Sequence, residues 1–280
     1  IAAALDRSPS SVSRELKRHG GSSAAYKPAY AGEQAKARRW RGSRLLRNRD
    51  LQGRVLDWLA SGWSPQQVAG RLAREQGHTV ISHESIYRFI AAQIARTKNY
   101  AWRLYLPRAK SKRGRRGRKG GSSALHIKDR IPIHWEADLM LFAASGQAVL
   151  TVHERSSRLI VIVRQPDKAA AHVAANLEAI LASLPNNLRQ TITFDNGTEF
   201  AFHHILRDNI AIQTFFCDTH APWQKGGIEN AIGRLRRFLP RKTDLATLPP
   251  DQIRDLAGRY NHTPRKCLDF KTPAEVFFTK

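Results

Sequence analysis

The chain has 280 residues, 41% of them hydrophobic, which is enough to build a real core in one or two domains. With 47 Lys and Arg against 23 Asp and Glu it carries a formal charge of +24, so a polyanion is the expected partner. Two cysteines, Cys217 and Cys267, give no disulfide framework and fit a reducing cytoplasm; no apolar run approaches the roughly 20 residues of a membrane helix, and no secretory signal is visible.

The charge is unevenly placed. Residues 1–130 hold 29 Lys and Arg against 8 Asp and Glu, a net of +21, while residues 131–280 hold 18 against 15, a net of +3. The first half is therefore expected to carry the electrostatic affinity, and the second half to be an ordinary folded domain.

Residues 1–5 read as the tail of a short apolar helix, and the single methionine is Met140, so the natural start is expected upstream. Asp6-Arg7 makes a turn, Ser8 is a good N-cap and Pro9 a good first helical residue. Val12 and Leu16 then repeat at helical spacing, leaving Ser10, Ser11, Ser13, Arg14, Lys17 and Arg18 on the exposed face. Residues 1–20 thus read as a partial helix-turn-helix presenting short polar and basic side chains to a DNA groove. A plain amphipathic hairpin with a solvated basic face accounts for this stretch equally well.

Residues 21–107 continue as a helical DNA-binding region with a second helix-turn-helix at about 64–92. Ser64 caps a helix through Val68 and Leu72, Gly77-His78 breaks it, and Ser82 caps another through Ile86, Tyr87, Phe89 and Ile90. His83, Ser85 and Arg88 would face outward to DNA. Two such units in one chain favour DNA binding over a merely solvated surface. Residues 108–130 form a basic linker whose run 108–119 cannot bury a core. Its Arg113, Arg115, Arg116, Arg118 and Lys119 are expected to follow the phosphate backbone, without base specificity.

From residue 131 the periodicity changes. Three β-leaning runs, 131–143, 147–153 and 158–164, are joined by short polar turns in the manner of an antiparallel meander. Helix 168–184, strand 191–194, helix 199–208, strand 210–216 and helices 224–239 and 250–260 follow. That order is the order of a ribonuclease-H-like α/β fold, a mixed five-stranded sheet with flanking helices, preceded here by the all-α helix-turn-helix region. In it the first and fourth strands are neighbours, so Asp138 and Asp195 would lie together and a following helix could bring Glu229 to them. Three converging carboxylates are what a pair of Mg²⁺ ions needs for phosphoryl transfer, with Mn²⁺ an acceptable substitute. Glu136 shares a strand face with Asp138, and Glu199 lies just past Asp195, so periodicity alone does not choose among these acids. Arg234, Arg236 and Arg237 would hold DNA phosphates beside the metals or form a solvated rim. Asn230 would touch DNA or a backbone carbonyl, Trp223 would stack on a displaced base or pack the loop before the helix, and His203-His204 would be a helix-surface pair. Cys217 and His220 have a metal-like gap, but no second pair at zinc spacing accompanies them.

Several stretches occur together in a fixed order: His134-Trp-Glu-Ala-Asp-Leu, Asp195-Asn-Gly-Thr-Glu-Phe, Pro222-Trp-Gln-Lys-Gly-Gly-Ile-Glu-Asn, Pro240-Arg-Lys-Thr-Asp-Leu, Tyr260-Asn-His-Thr-Pro-Arg-Lys and Lys271-Thr-Pro-Ala-Glu-Val-Phe. With the upstream Arg7-Ser-Pro-Ser-Ser-Val-Ser-Arg-Glu-Leu-Lys-Arg and Ile81-Ser-His-Glu-Ser-Ile-Tyr they cover nearly the whole chain, which resembles the insertion-sequence-thirty family of bacterial DDE transposases. Ala137 stands where that family typically has Gly, and Gly227-Ile228 where Thr-Asn is common. The resemblance selects Asp138, Asp195 and Glu229 as the catalytic metal ligands. It implies Mg²⁺-dependent cleavage and joining at terminal inverted repeats, a circular intermediate, target DNA as second substrate, and a homodimer or larger assembly at the bacterial nucleoid. Two other classes fit parts of the chain: an inert DNA-binding regulator, against which the intact acids argue, and a ribonuclease-H-like nuclease, against which the tandem DNA-binding units argue.

Overall fold

The structure, a computed structural model, describes residues 1–19, 24–38, 43–106, 134–143, 147–219 and 222–280. The basic run with Arg113, Arg115, Arg116, Arg118 and Lys119 lies outside the described residues, as does His220, and the side chain of Trp223 is not described. The chain divides into two compact units, Ile1–Gln52 and Gly53–Lys280.

In the first unit residues Ala3–Leu5 form a single exposed 3₁₀ turn rather than the tail of a helix, and Asp6 closes it in a left-handed conformation. Helix α1 (Pro9–Arg18) starts where Ser8 caps it, the Ser8 hydroxyl accepting from Ser11 N–H. None of its side chains is buried. His19, just past it, is buried edge-on against Tyr26 and Tyr30. Helices α2 (Pro28–Arg38) and α3 (Arg44–Arg47) follow, and the boundary between units falls inside α4 (Arg49–Ala60).

The second unit begins with a well-specified helix pair. Helix α5 (Pro65–Gln76) opens on a reciprocal capping box between Ser64 and Gln67 and ends at Gly77, whose φ of 71° suits a residue without a Cβ. Helix α6 (His83–Thr97) is capped by Ser82. Val68, Ala69 and Leu72 of α5 and Ile86, Phe89 and Ile90 of α6 are buried. The outer face of α5 meets the end of the chain: both guanidinium Nη atoms of Arg71 donate to the Glu275 carboxylate at 2.8 Å, Gln67 Nε2 donates to Pro264 O at 2.7 Å, and Arg74 pairs with Asp269. At Gly70 any Cβ would stand 2.1 Å from the Phe270 ring, so only glycine allows this approach.

The sheet runs β3-β2-β1-β4-β5, with β1 Trp135–Leu141, β2 Ala148–Glu154, β3 Ile160–Gln165, β4 Thr191–Phe194 and β5 Gln213–Phe216. The first three strands pair antiparallel, and β4 joins β1 in parallel, with Glu136 opposite Thr193. This is the ribonuclease-H-like arrangement, with β1 and β4 adjacent as expected. Alternation splits the strands into two faces. Trp135, Leu139, Leu150, Val152, Ile192 and Phe194 pack against Leu177 and Leu181 of α7 (Ala170–Ala182) and Leu206 of α8 (His204–Ile210). Met140, Val149, Ile160 and Ile162 pack on the other side against Ala231 and Leu235 of α9 (Gly226–Leu235) and Ile253 of α10 (Pro250–Asn261). Phe277 of the last helix, α11 (Pro273–Phe277), returns to the first of these cores.

In the α/β region two helices differ from the sequence expectation. The helix expected over 199–208 is a 3₁₀ turn at Thr198–Phe200 followed by α8, because Phe200 stacks on Phe194 at 4.6 Å and anchors the chain before the helix begins. The helix expected over 224–239 is the shorter α9, preceded by a 3₁₀ turn at Pro222–Lys225.

Candidate active site

Asp138 and Asp195 meet because β1 and β4 are parallel neighbours and both acids have the parity of the α9-facing side. Their meeting point is Lys225, at the residue before α9. Its Nζ lies 2.5 Å from Asp195 Oδ2 and 3.2 Å from Asp138 Oδ2, and the whole residue is only 6% exposed. Burial pushes the Asp138 carboxyl above its ordinary range, the Lys225 ammonium pulls it back, and the Asp195 charge adds to the rise. Burial alone would favour a neutral Lys225, but Asp138 and Asp195 outweigh it and hold the ammonium above its usual value. Around Asp195 the turn is tied locally: Asn196 Nδ2 donates to Cys217 O at 2.9 Å, and Gly197 N–H donates to Asp195 Oδ1 at 3.3 Å. Asn196 and Gly197 thus shape the turn, as their sequence suggests. Cys217 is buried and its thiol is held above the usual range by that burial.

Glu136 takes a different part from that of a competing ligand. It is fully buried. Its Oε2 accepts from Ile228 N–H at 2.7 Å, so a carboxylate from β1 caps the first turn of α9. The same oxygen lies 3.1 Å from His153 Nδ1, and Arg155 Nε stands 3.5 Å from Oε1. Gly227 is the necessary complement: a Cβ there would come within 2.5 Å of Glu136 Oε2 and 2.8 Å of the His153 ring. The departure from the commoner Thr at this position therefore leaves room for a buried carboxylate beneath the helix. Glu199 folds its carboxylate over Gly197.

Glu229 follows Ile228 in the first turn of α9 and is exposed. Among the described residues no three His, Cys, Asp or Glu side chains stand close enough to hold a metal ion, so the fold assembles the aspartate pair and keeps Glu229 outside such a cluster. The pair itself suits a hard divalent cation. Two carboxylate oxygens already converge on one positive atom, the Lys225 ammonium, and oxygen donors are what Mg²⁺ prefers.

The arginines divide. Arg234 Nε donates to Asn230 Oδ1 at 3.0 Å, which is the contact Asn230 makes in place of a backbone carbonyl. Arg236 is turned inward: an Nη donates to Leu141 O at 2.7 Å and its guanidinium lies 4.7 Å from the Phe142 ring centre. Burial lowers its pKa, and the bond to Leu141 makes Arg236 an anchor between the end of α9 and β1. Arg237 is exposed. His203 is half-buried just before α8: its Nδ1 lies 2.8 Å from Thr214 Oγ1 and its ring packs edge-on to Phe216. In the helix pairs, His83 and Arg88 are exposed as expected, Arg88 lying 3.7 Å from Glu84. The Ser85 hydroxyl is engaged by Ser82 at 2.9 Å. Ser10, Ser11, Arg14, Lys17 and Arg18 are exposed on α1, with Ser11 bonded to Ser8 and Arg14 to Ser10 O.

Lys225 and the capping role of Glu136 are what the sequence reading passed over. The available signal for Lys225 was a lone cation four residues before Glu229 inside an otherwise acidic constellation.

The chain is 35% identical over 99% of its length to the transposase for insertion sequence element IS1086 of Cupriavidus metallidurans, covering 87% of that protein. It is also 35% identical over 99% of its length to transposase InsI for insertion sequence element IS30A of Escherichia coli K12, covering 77% of it. The transposase for insertion sequence element IS4351 of Bacteroides fragilis is 30% identical, with 99% of this chain and 88% of the relative aligned. Among solved structures, the catalytic core domain of BIV integrase aligns with 53% of this chain and 95% of its own at a TM-score of 0.41 and 19% identity. No protein-family model matches. No described helix is long and apolar enough to cross a membrane.

Proposed function

The chain belongs to the IS30 family of insertion-sequence transposases, and we propose that it binds the terminal inverted repeats of its element and carries out divalent-metal-dependent strand cleavage and strand transfer into target DNA. The observation that carries this reading is the convergence of Asp138 and Asp195 on one cation at the junction of β1 and β4.

Asp138, Asp195 and Glu229 would hold the divalent ions; Mg²⁺ is the expected ion and Mn²⁺ its substitute. Bound in such a site, divalent ions supply activation of the attacking hydroxyl and stabilisation of the departing 3′-oxygen. The protein's own part is positional. Glu136 and Gly227 seat the first turn of α9 against the sheet, which fixes where Glu229 begins its approach. Lys225 neutralises the aspartate pair. No protein nucleophile is required, because the attacking group is water in cleavage and a DNA hydroxyl in joining. Exposed His83 and Arg88 on α6, with Ser10, Arg14, Lys17 and Arg18 on α1, are the groups offered to the repeat. Joining two ends requires two or more copies on the DNA, in the cytoplasm where the element resides.

The test is incorporation of a labelled inverted-repeat end into plasmid, with Mg²⁺ or with EDTA, beside Asp138→Asn. Mg²⁺-dependent joining that disappears in the variant is the expected result. Specific end binding without joining under any divalent ion would overturn the proposal in favour of an inert DNA-binding regulator.

A further inference from the structure

Beside the first turn of α9 lies a partly open cavity of about 350 Å³. Four arginines line it: Arg155, Arg158, Arg234 and Arg265. Its wall at the helix start is Gly226-Gly227, and no Asp or Glu is among its described lining residues. Two of the lining groups turn to the buried Glu136: Arg155 Nε at 3.5 Å and His153 Nδ1 at 3.1 Å.

Arg265 is the informative member. It is 6% exposed. An Nη donates to Tyr260 O at 3.0 Å and the guanidinium stacks 4.1 Å from the Tyr260 ring centre, yet its Nε has no hydrogen-bond acceptor among the described residues. Burial pushes its pKa down to about 10, and the charges of Arg234 and Arg237 push the same way. A buried guanidinium with an unused donor, facing three more arginines and no carboxylate, is costly unless an anion completes it. Planar guanidinium forks match the oxygens of a phosphate, and the small glycine wall lets such a group approach the helix start.

We propose that this cavity is a binding site for a backbone phosphate of DNA, held by Arg158, Arg234 and Arg265 one helical turn from Glu229. The inference rests on the polynucleotide-transfer reading above and adds the place where the strand is gripped. That phosphate comes either from the element end or from target DNA.

Cys267 gives the readout, because it is exposed and lines the cavity whereas Cys217 is buried. Alkylation of Cys267 by a maleimide would be followed by mass spectrometry in EDTA, with Cys217 as internal reference, so that no catalysis is needed. The full chain would be mixed with a terminal-repeat duplex or a scrambled duplex of equal length, each saturating. The expected result is a slowing of Cys267 alkylation of about tenfold or more, lost in Arg158→Gln. Arg158 is half-buried, and unlike Arg265 it can be changed without opening the core. The same variant should lower the slope of log affinity against log salt by about 0.9, the increment for one duplex phosphate. Arg207→Gln, on α8 and paired with Asp208, should change neither reading. Protection by the terminal duplex alone assigns the phosphate to the element end, and equal protection by both assigns it to general DNA. Either outcome supports the site. Unchanged alkylation with saturating DNA, or protection that survives in Arg158→Gln with an unaltered salt slope, overturns it. Strand transfer measured separately keeps that failure distinct: a chain that shows Arg158-dependent protection but no joining would lose the transfer reading and keep the phosphate site.

Discussion

On one face of the sheet Trp135, Leu139, Leu150, Val152, Ile192 and Phe194 meet α7 and α8 in an unbroken apolar layer. On the other, the same strands present Glu136, Asp138, Thr151, His153, Thr191 and Thr193 toward α9, and apolar contact resumes only at Met140, Val149, Ile160 and Ile162. Both faces are closed by helices, so burial alone does not separate them. They differ in what the buried atoms require: the apolar layer needs only matching volume, whereas each polar group needs a named partner. Glu136 finds one in the Ile228 N–H, and Asp138 finds one in Lys225, while the hydroxyls of Thr151 and Thr193 find none among the described residues. A sheet face that spends stability on orienting charge is where chemistry is expected, and the opposite face is the support that makes that arrangement affordable.

The contrast can be broken most sharply at the acids. Asp138→Asn and Asp195→Asn should each lower strand transfer by roughly 10³-fold or more, with little change in melting temperature, since the acids act on the transition state rather than on packing. A large loss of stability with modest loss of transfer would make them structural. Next in size is the apolar face. Leu177→Ala, at a residue 2% exposed, should cost about 2–5 kcal/mol in denaturant unfolding and leave transfer per folded molecule intact.

Glu154 tests the place where the apolar face reaches the end of β2. Burial would raise its pKa, but hydrogen bonds from Ser157, Lys280 and Ser156 prevail and hold it at about 2. A carboxylate held below its unfolded value stabilises the fold at pH above about 4.5, and that contribution is lost as pH falls through about 2. Its full size is about 3 kcal/mol. Melting temperature should therefore fall between pH 5 and pH 2, and Glu154→Gln should flatten that limb; an unchanged profile would assign the acid limb to other groups. The smallest effect is expected at Glu136→Gln. The neutral amide keeps the shape but loses the charged cap on α9, at about 1–3 kcal/mol. Transfer should fall more than stability predicts, because Glu229 sits on the helix so loosened. Proportional losses would reduce Glu136 to a packing residue.

Much of this was legible in the residues. Ser8, Ser64 and Ser82 announced their helices because capping is a contact across three residues. The order of strands and helices placed β1 beside β4, and with that adjacency Asp138 beside Asp195. The family resemblance chose these acids over Glu136 and Glu199, which alternation alone could not do. What escaped were contacts between segments far apart in the chain: Lys225 with Asp138 and Asp195, Glu136 with Ile228, Arg236 with Leu141, His203 with Thr214, and Arg71 with Glu275.

By itself the sequence determined the charge partition, the caps and the strand alternation, because each depends on residue type and short spacing. Only the tertiary structure decided which buried charge meets which. A carboxylate such as Glu136 is a metal ligand, a helix cap or a surface acid according to what donors stand within about 3 Å of it, and that distance exists only after α9 has packed on the sheet.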